Sequence, residues 1–297
     1  MNNNWEKNLI KEYILSGLNE YKKYRMWNIF YKSVFIIWLF LITYLIFFYK
    51  NNDIKINNVY KDHIAIIELN GTISENNISS AKNINSLLTK AFENKYAKHI
   101  ILKINSPGGT PVQSNIIHNH IKRLRGIYPN KNIFSVIEDI GTSGAYLIAT
   151  STEKIYCDPS SIVGSIGVIL NSFGFVDTIE KLGIERRLYT SGKYKSIMDP
   201  FLKRNIEEEK IIQNSLNIIH KQFINIVKNT RQDKIDIKNT EIFSGKFWTG
   251  VEAIELGLID GFFDIETLIY DILNINNTIT YTNNNIFESI MKKIIKN

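Results

Sequence analysis

Residues 133–151 read IFSVIEDIGTSGAYLIATS, and this segment indicates the fold class of the chain. Its first five residues are apolar except for one serine, which is typical of a buried strand. Small residues follow at Gly141 and Thr142, and the run from Ser143 onward predicts a helix. A strand that passes through a tight turn into a helix is the repeating unit of α/β folds.

Runs of the same two kinds recur along the chain beyond residue 60. Strand-like runs alternate with stretches of helical period, and Gly257 is placed to end the last of these helices. The alternation predicts an α/β domain with a largely parallel sheet. The predicted strands cover 64–69, 99–104, 133–137 and 154–156, and the predicted helices cover 79–92, 111–125, 143–151, 200–228 and 249–256.

The composition argues against several classes of function. The chain of 297 residues carries a net charge of +7, but its lysines are scattered among acidic residues, so no basic face predicts nucleic-acid binding. Its single cysteine, Cys157, has no partner for an intrachain disulfide and is expected to be a small core residue. No Cys/His cluster suggests a metal and no P-loop pattern suggests a nucleotide, so no cofactor is expected.

Residues 33–49 (SVFIIWLFLITYLIFFY) form a run of seventeen residues without a charge. Apolar character reaches back to Trp27, which gives about twenty residues, enough to cross a bilayer. The alternatives are a buried core helix and a cleaved signal peptide. A signal peptide has a short basic leader and a small-residue cleavage site, whereas 32 residues precede this run and no such site follows it. The run therefore predicts an uncleaved transmembrane anchor.

The charges that flank this run indicate its orientation. Four basic residues lie closely before it and three follow it, a slight bias that favours a cytoplasmic N-terminus and an extracytoplasmic remainder. The expected location is the plasma (inner) membrane, with a single pass. The predicted organisation is a basic amphipathic cytoplasmic segment (1–32), the anchor (33–49), a stalk (50–62), a catalytic domain (63–275) and an amphipathic tail (276–297).

Ser143 and Lys195 together can make a nucleophile without histidine. A serine hydroxyl becomes nucleophilic when a neighbouring base takes its proton, and a lysine can be that base if burial keeps it neutral. Lowering a lysine pKa to roughly 7–8 costs on the order of 3–4 kcal/mol, so the lysine head group must be buried. Each residue also has a plain structural interpretation, since Ser143 could cap a helix and Lys195 could lie on the surface.

Five motifs, taken in their order, are far more specific than either residue. They resemble the signal peptide peptidase A family, the membrane-anchored serine–lysine peptidases also called protease IV, over residues 63–262. The motifs are NSPGG (105–109), TSGAYLIA (142–149), GSIGV (164–168), GKYKSIMDPF (192–201) and FWTGVEAIELGLID (247–260). Two departures are small: the family often has alanine where this chain has Thr142, and a second glycine where it has Ala145.

The resemblance implies roles for particular residues. Ser143 matches the nucleophile and Lys195 the general base, the backbone N–H groups of Gly108 and Gly144 match the oxyanion hole, and Ser165 matches a hydroxyl that holds the lysine amine. It also implies a ClpP/crotonase-like α/β superhelix preceded by one transmembrane helix, and a homo-oligomer whose subunits can share the serine and the lysine.

The resemblance further implies a serine endopeptidase that degrades cleaved signal peptides in the membrane, so that its partners are peptides and the bilayer, without nucleic acid. Three alternatives stay open. The same dyad could serve membrane-protein quality control, the fold could be a ring-forming scaffold without catalysis, or the domain could act on acyl thioesters as crotonases do.

Overall fold

The computed structural model describes residues 4–51 and 61–282, and the chain divides into two units, residues 1–57 and 58–297. The described part of the first unit is one helix, α1 (Asn4–Asn51). Its stretch Gly17–Leu45 is long and apolar enough to cross a membrane, and none of its most apolar 18-residue window is buried, whereas the core helix of a soluble protein is mostly buried. From residue 4 onward, the predicted segments 1–32 and 33–49 fall on this helix, whereas residues 1–3 and most of the predicted stalk lie outside the described residues.

The second unit is built on a mainly parallel sheet with helices on its faces, as the alternation of strands and helices predicted. The strand order is β6-β5-β3-β2-β1-β8, with β4 also beside β3 and β7 beside β4, and only the β5–β6 pair is antiparallel. The strands are β1 (His63–Asn70), β2 (Ala97–Ser106), β3 (Asn132–Thr142), β4 (Lys154–Cys157), β5 (Ile162–Gly164), β6 (Phe247–Thr249), β7 (Gly261–Phe262) and β8 (Thr278–Tyr281).

The helices α2 (Ala81–Glu93) and α3 (Pro111–Ile127) each bury one apolar side. In α2, the buried residues recur at intervals of three and four, from Ala81 and Ile84 to Leu88 and Phe92, which places them on one face. They pack with the inward side chains of the central strands in one large core. The helices are α2 (Ala81–Glu93), α3 (Pro111–Ile127), α4 (Gly144–Ala149), α5 (Val176–Lys181), α6 (Ile206–Arg231), α7 (Gly250–Glu255) and α8 (Ile265–Thr267), which continues as a π turn, Leu268–Leu273.

A second, smaller core covers the opposite face of the sheet. Here Ile64, Ile101 and Phe134 of the central strands pack against Leu268 and Ile269 of the π turn. Both faces of the central strands are thus covered, which explains why β2 contains the uninterrupted apolar run 100–102 rather than a strict alternation.

Strand β3 changes neighbours along its length. Its first half pairs with β4 at Phe134–Ile137 and its last residues, Ile140–Thr142, pair with β5. This places the end of β3, and the residue that follows it, between β2 and β5 at the carboxyl edge of the sheet.

Most predicted boundaries differ by a few residues from those observed, and two of the differences change the description of the domain. The long helix begins at Ile206 instead of residue 200, because the Asn205 side chain accepts the N–H of Glu207 and caps it there. The sheet also extends past residue 275, because β8 pairs with β1. The predicted tail (276–297) therefore contributes an edge strand, and its amphipathic stretch lies outside the described residues.

Candidate active site

Ser143 lies between the end of β3 and the start of α4 in a strained conformation. Its φ of 54° and ψ of −124° are unusual for a residue with a side chain, and such strain costs on the order of 1–3 kcal/mol. Its N–H donates to the carbonyl of Gly164 at 2.8 Å, which ties the residue to the end of β5. Its side chain does not cap α4, so the helix-cap interpretation does not hold.

The segment Pro107–Gly108–Gly109 approaches Ser143 so closely that side chains do not fit there. A Cβ atom added at Gly108 would lie 2.8 Å from Cβ of Ser143 and 2.7 Å from the amide nitrogen of Gly144. Gly108 also has a φ of 93°. A Cβ atom added at Gly109 would overlap the carbonyl oxygen of Ile73. Gly108 is thus needed for the close approach of this segment to Ser143, and Gly109 for its close approach to the backbone of Ile73.

The backbone N–H groups of Gly108 and Gly109 differ in whether they already make a hydrogen bond. The N–H of Gly108, the predicted oxyanion donor, already donates to Oγ of Ser106 at 3.1 Å. The N–H of Gly109 has no hydrogen-bond partner among the described residues, and its nitrogen lies 3.4 Å from the position that a Cβ of Gly144 would take. The geometry therefore favours Gly109 over Gly108 as the free donor beside Gly144. The sequence analysis predicted the N–H of Gly108, the other glycine of this adjacent pair, as the donor.

Ser143 opens onto a cavity of about 480 Å³. Three of the five predicted site residues line this cavity, namely Ser143, Gly144 and Ser165, and Gly109 lines it as well. Gly144 is the first residue of α4, where amide groups have no partner within the helix. The fold thus brings a serine hydroxyl and two amide donors to one cavity. Its apolar wall consists of Leu147, Val168, Ile169, Ile219 and Phe223.

Ser165 has the same kind of backbone strain as Ser143. Its φ is 52°, and its N–H donates to the carbonyl of Lys246 at 2.9 Å. The preceding Gly164 has a φ of 93°, and a Cβ there would lie 2.9 Å from Cδ1 of Trp248. The tight turn after β5 therefore requires glycine at its first position and aims the next residue toward the cavity.

Lys195, the predicted base, lies outside this cavity in the single chain. It is exposed, in a turn where its N–H donates to the carbonyl of Gly192 at 3.2 Å. The buried head group that the base role requires is thus not found within one chain. The nearby Lys193 pairs with Glu207 at 2.7 Å, and this hydrogen bond raises the pKa of the lysine, the opposite of what a general base needs.

One titratable side chain among the described residues does line the cavity, and sequence reasoning missed it. His220 of α6 lies there half-buried, with Nε2 3.0 Å from the carbonyl oxygen of Ile166. It follows the nucleophile by more than seventy residues, and no local motif marks it.

The structure gives no support for a cysteine nucleophile or for a metal site among the described residues. Burial raises the pKa of the Cys157 thiol to about 12, so this thiol is not a nucleophile near neutral pH. Within residues 4–51 and 61–282, no group of three or more His, Cys, Asp or Glu side chains is placed to hold a metal ion.

Comparisons with known proteins point to one family of hydrolases. Residues 128–273 match peptidase family S49, a region that includes Ser143, Ser165 and Lys195. A provisionally named protease of Synechocystis sp. is 32% identical to this chain in an alignment that covers 66% of this chain and 68% of the relative. A provisionally named signal peptide peptidase SppA of Enterococcus faecium is 30% identical to this chain in an alignment that covers 72% of this chain and 64% of the relative.

A further match carries a different name. The Na(+)/H(+) antiporter NhaA of Brucella abortus is 41% identical over 69% of this chain, but the aligned part is only 28% of that protein. The chain thus spans about a quarter of this relative and just under two thirds of the Enterococcus protein.

Proposed function

The chain belongs to peptidase family S49, and we propose on this premise that it is a membrane-anchored serine endopeptidase with Ser143 as nucleophile and Lys195 as general base. The α/β sheet with helices on both faces fits the ClpP-like fold of that family. The observation that carries the proposal is the strained Ser143, which lies on a cavity beside the unpaired N–H of Gly109 and the helix-terminal N–H of Gly144.

The proposed mechanism follows from these groups. A neutral lysine amine takes the proton of the Ser143 hydroxyl, and the oxygen attacks the peptide carbonyl. The N–H groups of Gly109 and Gly144 donate to the oxygen on which negative charge develops. The lysine ammonium then protonates the leaving amine, and water hydrolyses the acyl-enzyme in the second half of the cycle. Ser165 is proposed to hold the lysine amine by a hydrogen bond.

The lysine is proposed to come from a second copy of the chain. Lys195 belongs to an exposed arm, defined here as residues 169–205, whose apolar side chains have little cover in the single chain: Ile169 is 81% exposed, Phe173 77% and Tyr189 90%. Covering this arm with a neighbouring subunit would remove apolar surface from water. It would also let Lys195 enter the neighbour's cavity, where burial lowers a lysine pKa.

Mixing two inactive variants tests this sharing. If the dyad forms between subunits, oligomers co-assembled from Ser143→Ala and Lys195→Ala chains should recover roughly a quarter of wild-type activity in a head-to-tail ring of random composition. The reason is that an intact serine then meets an intact lysine at about one interface in four. Activity is measured on co-expressed, doubly tagged oligomers, with each variant alone as the control. Mixed oligomers as inactive as either variant would place the dyad within one chain.

We propose remnant signal peptides as the substrates. The cavity wall presents the apolar residues Leu147, Ile219 and Phe223, which suit the side chains of such peptides. The exposed apolar helix α1 fits a membrane anchor, placed in the plasma membrane with the N-terminus in the cytoplasm and the peptidase domain outside it.

Hydrolysis by the detergent-solubilised full chain tests the function. Fluorogenic peptides with apolar residues around the scissile bond should be cleaved at least tenfold faster than matched peptides with charged residues there, because the cavity wall is apolar. Cleavage without such preference would favour the quality-control alternative. No cleavage across a broad peptide library, with the protein folded, would favour the scaffold.

A further inference from the structure

His220 connects the long helix α6 to the wall of the active-site cavity. The side chain is half-buried, and its Nε2 lies 3.0 Å from the carbonyl oxygen of Ile166. A carbonyl only accepts hydrogen bonds, so Nε2 carries the proton in this contact. Nε2 is therefore a donor whether the ring is neutral or charged, and it is not available as a base toward Ser143.

The acceptor belongs to the strained turn that presents Ser165. This turn, residues 164–167, has positive φ values at Gly164 (93°) and Ser165 (52°) and is closed by the N–H of Gly167 on the carbonyl of Ser165 at 2.9 Å. A strained backbone persists only where its surroundings hold it in several places.

Besides the sheet pairing of Gly164 and the burial of the Ile166 side chain in the core, three hydrogen bonds reach this turn from different parts of the fold. The N–H of Ser143 donates to the carbonyl of Gly164, the carbonyl of Lys246 accepts the N–H of Ser165, and His220 donates to the carbonyl of Ile166. Of these three hydrogen bonds, the last is the one made by a side chain. A substitution of His220 can therefore remove this hydrogen bond without changing any residue of the 164–167 turn.

We propose that His220 is a positioning residue of the peptidase site: its Nε2–H fixes the 164–167 turn and thereby the place of the Ser165 hydroxyl in the cavity. This inference rests on the proposed function, in which Ser165 holds the lysine amine. Displacement of that hydroxyl would leave peptide binding largely intact and misplace the base. Removing the His220 hydrogen bond should therefore lower kcat by about 10- to 100-fold and change KM less.

Three substitutions separate positioning from acid–base chemistry. Glutamine places an amide N–H near the position of Nε2, asparagine places one near Nδ1, and phenylalanine keeps the ring without a donor. His220→Gln should retain most of the wild-type kcat, whereas His220→Asn and His220→Phe should both lose it. The pH profile of His220→Gln should keep the shape of the wild-type profile. Lys221→Gln, at an exposed neighbouring position of α6, is the matched control and should behave as wild type.

A second readout does not depend on catalysis. Hydrogen exchange over residues 162–170 should be faster in His220→Asn and His220→Phe than in wild type and His220→Gln. Equal exchange in all four proteins, or equal loss of kcat in the glutamine and asparagine variants, would overturn the inference. If wild type cleaves no peptide, the proposed function fails, and the exchange data still decide whether His220 holds the turn.

Discussion

Replacing Ser143 by alanine is expected to lower kcat/KM for peptide hydrolysis by on the order of 10⁴-fold or more, because it removes the proposed nucleophile that forms the acyl-enzyme. The fold should survive the change. The Ser143 hydroxyl makes no hydrogen bond among the described residues, so its removal leaves no polar group unpaired. The measurement is initial-rate hydrolysis of a fluorogenic apolar peptide, with the melting temperature as the check on folding.

Lys195→Ala should cost about 10²- to 10⁴-fold in kcat, the usual contribution of a general base. The chain offers a matched control two residues earlier. Lys193 is also exposed and charged, but it is paired with Glu207 at 2.7 Å. Lys193→Ala should therefore change the rate by less than about twofold. Equal losses at both lysines would contradict the assignment of Lys195, and full activity of Ser143→Ala would contradict the assignment of the nucleophile.

The second large effect is expected on stability, at the buried ion pair of Arg231 and Asp260. Both side chains are nearly inaccessible, at 3% and 5% exposure, and Nη1 of Arg231 lies 2.7 Å from Oδ2 of Asp260. Arg231 also donates to the carbonyl of Gly257, and Asp260 accepts the N–H of Ile155 at 2.8 Å. The pair thus joins the end of α6 to strand β4 and to the loop after α7.

Arg231→Leu should lower the free energy of unfolding by about 3–5 kcal/mol, because it leaves the Asp260 carboxylate buried without its main partner. For a domain of this size that corresponds to roughly 10 °C in melting temperature. Lys98→Leu is the control, since Lys98 pairs with Asp62 at an exposed position outside the arm, with side chains 44% and 60% accessible. That change should cost less than about 1 kcal/mol. Similar losses in the free energy of unfolding of both variants would show that burial of the ion pair does not determine its contribution to stability.

The same pair predicts a dependence of stability on pH. Burial by itself would raise the pKa of Asp260, but hydrogen bonds from Arg231 and Lys234 outweigh it and lower this pKa. A carboxyl group with a lowered pKa in the folded state stabilises the protein above its unfolded pKa of about 3.9. That stabilisation is lost as the pH falls through the folded value. Arg231→Leu removes most of this contribution, so its melting temperature should lie furthest below that of wild type near pH 7 and the gap should shrink toward pH 3.

The prediction from sequence succeeded where the signal is local. The runs 64–69 and 99–104 became β1 and β2 because short apolar, β-branched segments between turn residues form buried strands in many tertiary contexts. The strand-to-helix passage at 133–151 also formed as predicted, with β3 ending at Thr142 and α4 beginning at Gly144. Such preferences depend on neighbours within a few residues, which a sequence displays directly.

The errors concern contacts between distant segments. The hydrogen bond of the Gly108 N–H is an exception, because its acceptor, Oγ of Ser106, lies only two residues earlier in the same motif. The edge strand β8 was assigned to the tail, since its pairing partner β1 lies more than two hundred residues earlier. His220 escaped notice because only the packing of α6 brings it to the carbonyl of Ile166.

The sequence by itself determined the α/β class, the apolar N-terminal helix, the order of the five motifs and the candidate residues Ser143 and Lys195. These properties follow from periodicity and spacing along the chain, which are fixed covalently. The tertiary structure alone decided that Ser143 is strained, that Gly109 holds the free amide, that His220 borders the cavity and that Lys195 is exposed in the single chain. Those properties depend on distances between residues far apart in sequence, which packing sets after the local elements have formed.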